Sequence, residues 1–242
     1  MTAQNHFTRP ENTVYLSAPV NALVNGLYEE NVHFSEVRKH GDFGLGTFDD
    51  LDGEMVLLDG QIFQIASDGQ VTQVSDETKT PFATVTFFNP TIHDEICGEL
   101  SHHEFEERVM RLLPSSNLFY AIRIEGKFSH IQARSVPKQA NYHSFADVAH
   151  QQTLFEFHHP VGTVAGFYTP TFMSSLSVPG LHLHFLSQDH QHGGHVLQCK
   201  PSHAQIHIQV IHKLELSLPL TVDYLKGNFS RDVEQDLKLV EK

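Results

Sequence analysis

The segment from Gly180 to Leu197, GLHLHFLSQDHQHGGHVL, constrains the fold more than any other stretch of the chain. His182 and His184 alternate with Leu181, Leu183 and Phe185. A period of two is satisfied by an extended strand with the imidazoles on one face and the apolar side chains on the other. The polar run that follows, ending in Gly193-Gly194, reads as a hairpin turn, so His195 opens the neighbouring strand. Three imidazoles from two paired strands can converge on one ion. Three neutral nitrogen donors with an open position suit a catalytic Zn2+, at Zn–N distances of about 2.0–2.1 Å. A structural zinc usually takes thiolates, and Cys97 and Cys199 share no close-spaced motif. The competing explanation is a solvated strand face, because a chain with 19 histidines in 242 residues generates HxH pairs easily.

The other histidines have plainer explanations. His190 and His192 fall in the turn and are expected in solvent. His203 and His207 have the strand parity opposite to Ile206, Ile208 and Val210, which also predicts solvation. His212 shares the apolar parity and is expected to be a packed core residue. His102-His103 and His158-His159 are adjacent pairs that cannot share a strand face, and read as surface residues.

Charge narrows the partners. The formal net charge is −13 at pH 7, against the basic face that a nucleic-acid binder needs, and no basic cluster offers itself to anionic lipid. The pI of about 5.7 is high for so acidic a chain because the histidines charge below neutrality. No apolar run approaches the roughly 20 residues of a membrane helix, and the first residues lack the basic and apolar regions of a signal peptide. Two cysteines make no disulfide framework. A folded cytoplasmic protein is the expectation.

Along the chain, Val20, Leu23, Val24 and Leu27 give a short amphipathic helix, and Met55–Leu58, Asp59-Gly60 and Gln61–Ile65 give a hairpin. Residues 82–88 read as a strand. Ser101 with Glu104 forms a capping box ahead of Phe105, Val109 and Leu112, in a helix stopped by Pro114. Residues 117–125 and 128–136 read as two strands turning at Gly126-Lys127. Ser144 starts a second helix, SFADVAHQQTLFEF, and strands follow at 162–168, 180–186, 194–199 and 204–216 before a charged tail from Asp223 to Lys242. The composition break at Pro137 suggests a mixed α/β chain of two units, 1–140 and 141–242, the second carrying the three histidines.

The blocks HGDFGLGTFDDLDGEMVLLDG, RSVPKQ, VGTVAGFYTP and VPGLHLHFLSQDHQHGGHVL, in order, resemble the acetolactate decarboxylase family from about residue 15 to 215. The resemblance implies an α/β (mixed α+β) fold with a larger mixed sheet in the N-terminal part and a smaller antiparallel sheet in the C-terminal part, and a homodimer. It implies Zn2+-dependent loss of CO2 from 2-acetolactate, giving acetoin through an enediolate protonated on one face. The family's zinc histidines match His182, His184 and His195. Its catalytic glutamate matches Glu54, a nearby threonine Thr47, and its arginine Arg134, which here precedes Ser135 where other members commonly carry Thr. A glutamate near the family's C-terminus falls by position on Glu241.

The residue types suit that chemistry. Electron density left by departing CO2 must be stabilised, a task for a Lewis acid and for a guanidinium, and a carboxylate can manage the proton. Without the resemblance, Glu54 would be read as a solvated carboxylate beside a turn, Arg134 as a surface strand residue and Thr47 as an ordinary strand residue. Two rivals remain at this level: a zinc-hydroxide hydratase or hydrolase, and a histidine-rich metal-binding protein without catalysis.

Overall fold

The computed structural model describes residues 11–28, 32–139, 148 and 151–229. Strands dominate and fall into two main sheets, with four short helices among the described residues. The first sheet contains β1 (Thr13–Leu16), β3 (Phe43–Thr47), β4 (Glu54–Leu58), β5 (Gln61–Ile65), β6 (Val71–Gln73), β8 (Ala83–Thr86) and β15 (Lys213–Leu216). Its order is β15-β1-β8-β3-β4-β5-β6, and it is mixed because β1 and β15 run parallel while the other neighbours are antiparallel. A separate small ribbon pairs β2 (Val32–His33) with β7 (Lys79–Thr80).

The second sheet is antiparallel and contains β9 (Ile92–Cys97), β10 (Phe119–Ser135), β11 (Thr153–His158), β12 (Val161–Thr169), β13 (Gly180–Ser187) and β14 (Gly193–Ile211). β10 pairs with both β12 and β14, and β12, β13 and β14 are successive neighbours, so four strands close on themselves. One face of all four gathers in a single cluster that includes Ile124, Phe128, Val164, Phe185 and Ile206. Phe105 and Val109 of α3 (His102–Leu112) join it. That helix starts on the expected capping box, with Ser101 Oγ accepting from the Glu104 N–H and the Glu104 carboxylate accepting from the Ser101 N–H.

The opposite face of the ring packs on the first sheet. Ala165, Phe167 and Leu186 meet Val56, Phe63 and Ile65 there, while Phe34 and Val37 of α2 (Phe34–Val37) cover the far side of the first sheet. α1 (Val20–Val24) packs against Leu51, Phe82 and Val136, and α4 (Val222–Lys226) follows β15.

Several expectations need correction. Gly126 makes no hairpin: β10 runs through it for 17 residues, because glycine here permits close approach rather than a turn. A Cβ at Gly126 would lie 2.2 Å from the His203 carbonyl oxygen. Similarly, the expected strands at 194–199 and 204–216 are one 19-residue strand, β14, that passes residues 200–203 through register irregularities, with β15 separate. Residues 153–158 form β11 and not the end of a helix; the chain from Leu154 to Phe157 alternates exposed and half-buried side chains with period two. Ser144 and Asp147, at the proposed start of that helix, lie outside the described residues. Two sheets exist, but β9 and β10 from before residue 140 lie in the second and β15 from after it lies in the first.

His212 is exposed and not core. β14 ends at Ile211, which packs toward the first sheet, and the chain then bends so that the His212 N–H reaches the Asn12 carbonyl. Of the tail, α4 is described through Lys226, and residues 230–242, including Glu241, lie outside the described residues.

Replacing Phe105, fully buried where α3 meets the closed strands, by Ala is expected to cost about 3–5 kcal/mol. Urea unfolding followed by circular dichroism checks this; an unchanged midpoint would contradict the helix's part in that core.

Candidate active site

Strand parity and register assemble the site. On β13, Leu183 and Phe185 point into the closed cluster, leaving His182 and His184 on the face toward the first sheet. The hairpin is tied by the Ser187 hydroxyl, which accepts from the His192 N–H, and by the Ser187 N–H on the His192 carbonyl. It returns the chain so that His195 sits directly opposite His184. One further strand over, His195 is opposite Arg134. That last pairing depends on a bulge: Gln132 faces Gln198 but Ala133 faces Val196, so Leu197 is the extra residue. Without it the pairing would slip by one and Arg134 would face Val196. Gly194 is also required there, with φ of +142° and a hypothetical Cβ only 2.6 Å from the Arg134 carbonyl oxygen.

The three imidazoles are buried, and each offers a ring nitrogen within 4.8 Å of the others. The β4 strand of the first sheet faces them. His184 Nδ1 lies 2.8 Å from the Met55 carbonyl, which can only accept, so Nδ1 carries the proton and Nε2 carries the lone pair. That Nε2 is buried and makes no hydrogen bond; Glu54 Oε2 lies 3.5 Å from it. Burial, reinforced by the Arg134 charge, pushes His182 down to about 3. His184 is likewise held well below the ordinary imidazole range, by burial first and then by His182 and Arg134, against the opposing Met55 hydrogen bond. These two rings are therefore neutral at pH 7, the state a metal ligand needs. Three buried imidazoles, one with its lone pair left unused and its tautomer set by a backbone carbonyl, fit a divalent ion such as Zn2+. No other group of three or more such side chains occurs among the described residues.

Arg134 Nη1 donates to Glu54 Oε1 at 2.7 Å, and both side chains are buried. Both would pass for solvated residues by local pattern alone, and the cross-sheet packing buries them. Thr47 is opposite Glu54 in the β3–β4 pairing, and its hydroxyl donates to the Gly53 carbonyl at 2.7 Å, fixing the backbone just before Glu54. Thr47, Glu54, Arg134 and the three histidines line one cavity, so the structure brings together six of the seven expected site residues; Glu241 is the seventh.

Two features had no local signal in the sequence. The cavity's other wall is apolar and comes from distant segments: Val20, Leu23, Leu51, Phe82, Val136 and Val178. Ser135 donates to the Ile65 carbonyl at 2.8 Å, and Ile65 is the cross-strand partner of Glu54. The helical spacing of Val20 and Leu23 marked an apolar face, but nothing marked its destination.

A buried, charge-compensated pocket with convergent imidazoles, a guanidinium and a carboxylate is built as an enzyme's active site. A model of the alpha-acetolactate decarboxylase family matches residues 14–231, and the chain belongs to that family. It is 40% identical over 234 residues to the alpha-acetolactate decarboxylase of Methanosarcina mazei, covering 96% of this chain and 81% of that protein. To the enzyme of the same name from Bacillus licheniformis it is 36% identical over 219 residues, covering 90% and 87%. The crystal structure of alpha-acetolactate decarboxylase from Bacillus subtilis strain 168 superposes with a TM-score of 0.92 at 35% identity, covering 95% of this chain and 99% of that one.

Removing one partner of the buried ion pair takes away the other's counter-charge at 2.7 Å. Arg134→Met is expected to destabilise the fold by about 3–5 kcal/mol, and adding Glu54→Gln to recover much of that loss. Denaturant unfolding of both single variants and the double variant gives the coupling; simple additivity would contradict it.

Proposed function

We propose that this chain decarboxylates 2-acetolactate to acetoin and CO2 with Zn2+ held by His182, His184 and His195. The observation that carries the proposal is the buried cluster of three imidazoles beside the Arg134–Glu54 pair, in a chain belonging to the alpha-acetolactate decarboxylase family. Zinc, when bound, supplies a Lewis acid that draws electron density onto substrate oxygens.

The chain's own side chains divide the remaining work. The substrate is an anion that becomes a neutral product plus CO2, so the site must accept a carboxylate, tolerate charge moving from it to the ketone oxygen, and take up one proton. Arg134 holds a planar acceptor and balances that charge, which in a pocket shielded from water acts at full strength. Glu54, oriented by Arg134, is the group proposed to hold the proton and pass it to one face of the carbon that lost CO2. Thr47 keeps the backbone before Glu54 in place. The apolar wall takes the methyl groups and excludes water, which would otherwise protonate the carbon from either side. Glu241 is proposed as a second carboxylate assisting from the C-terminal segment. The family resemblance further supports a homodimer working in the cytoplasm, where Cys97 and Cys199 remain thiols; both are free.

The test is incubation of purified protein with racemic 2-acetolactate, following CO2, acetoin and the handedness of the acetoin. One enantiomer of acetoin is expected, with activity abolished by a chelator, restored by ZnCl2 and lost in His184→Ala. A protein that binds zinc tightly and forms no acetoin overturns the proposal. In a separate measurement, Arg134→Lys is expected to fold and keep zinc while kcat falls about 10²-fold or more; full turnover would remove Arg134 from the chemistry.

A further inference from the structure

A second pair of imidazoles meets on the strands that flank the far end of the ring. His93 on β9 and His207 on β14 stand directly opposite each other, and on the other side of β14 Arg123 of β10 is opposite His207. The two Nδ1 atoms are 2.8 Å apart, with the ring planes inclined at 73°. One ring therefore donates its Nδ1–H to the other. His93 is exposed and His207 half-buried, so the pair is open to solvent from one side. The nearby cation is already engaged, because the Arg123 guanidinium donates to both Asp59 carboxylate oxygens and to Glu125. Burial, His93 and Arg123 lower the His207 pKa, with Glu125 opposing them, so the ring is neutral near pH 7.

The spacing has a coordination meaning. Two nitrogens 2.8 Å apart, each about 2.0–2.1 Å from one ion, subtend roughly 90° at it. That is the angle between neighbouring ligands in tetragonal or octahedral shells and is too narrow for a tetrahedral one, which favours Cu2+ or Ni2+ over Zn2+. We propose that His93 and His207 form a second divalent-cation site, for a late transition metal whose remaining positions are filled by water. It is weaker than the three-histidine centre and separate from it. Loading requires the shared proton to move through solvent from Nδ1 to Nε2 of the donating ring. Both Nδ1 lone pairs are then free to face the ion.

The probe is NiCl2, titrated calorimetrically into protein whose central site has first been loaded with zinc. One further equivalent is expected to bind. Its affinity should fall at least tenfold in His93→Ala and again in His207→Ala, and be unchanged in His203→Ala, an exposed histidine on the same strand face. Acetolactate turnover should be the same in all three variants, and unchanged thermal midpoints establish that each is folded. Absence of the second equivalent overturns the proposal, as does one that survives both substitutions or disappears equally in His203→Ala.

Discussion

The buried pairing of Arg134 with Glu54 joins the two sheets at the point where the imidazoles converge. Arg134 belongs to β10 and Glu54 to β4, so the 2.7 Å contact crosses the interface between layers. Charges removed from water cost several kcal/mol apiece unless geometry and further hydrogen bonds compensate them. The pair therefore contributes position rather than bulk stability. Two more polar links lie beside it: His184 Nδ1 on the Met55 carbonyl and Ser135 Oγ on the Ile65 carbonyl, each 2.8 Å long. Around them the interface is apolar, and that burial supplies the favourable energy. Apolar contact alone would tolerate small slips of one sheet over the other. Three directional contacts within a few residues of each other do not.

This arrangement explains why the site needs both halves of the chain. The imidazoles come from one hairpin, but the carbonyl that orients His184 and the carboxylate beside it come from consecutive residues of β4. The tautomer of His184 is thus set by the first sheet, while its position is set by the second. A further condition is the bulge at Leu197, which brings His195 opposite Arg134.

Much of this is legible in the residues. The two-residue alternation from Leu181 to Phe185 identifies the face of His182 and His184, and the polar turn running up to Gly193-Gly194 brings back His195, because both signals are local. The capping box at Ser101 is equally local. The burial of Glu54 and Arg134 is not, since it depends on partners 80 positions apart, and only the likeness to a family points to them. Continuity of β10 through Gly126 and of β14 through residues 200–203 is hidden for a related reason. Glycine and proline mark turns in isolated strands, but in a closed ring they also serve close approach and bulges. His212 escapes the parity argument because parity holds only while the strand lasts, and β14 ends one residue earlier.

The central claim is that three imidazoles, and no other side chains of the described chain, hold the metal next to the Arg134–Glu54 pair. Zinc-edge X-ray absorption on protein carrying one zinc per chain tests it most directly. The account predicts three imidazole nitrogens at about 2.0–2.1 Å, with any remaining scatterers being oxygen, and loss of this pattern in His184→Ala. A sulfur scatterer, or a spectrum that His184→Ala leaves unchanged, would contradict it.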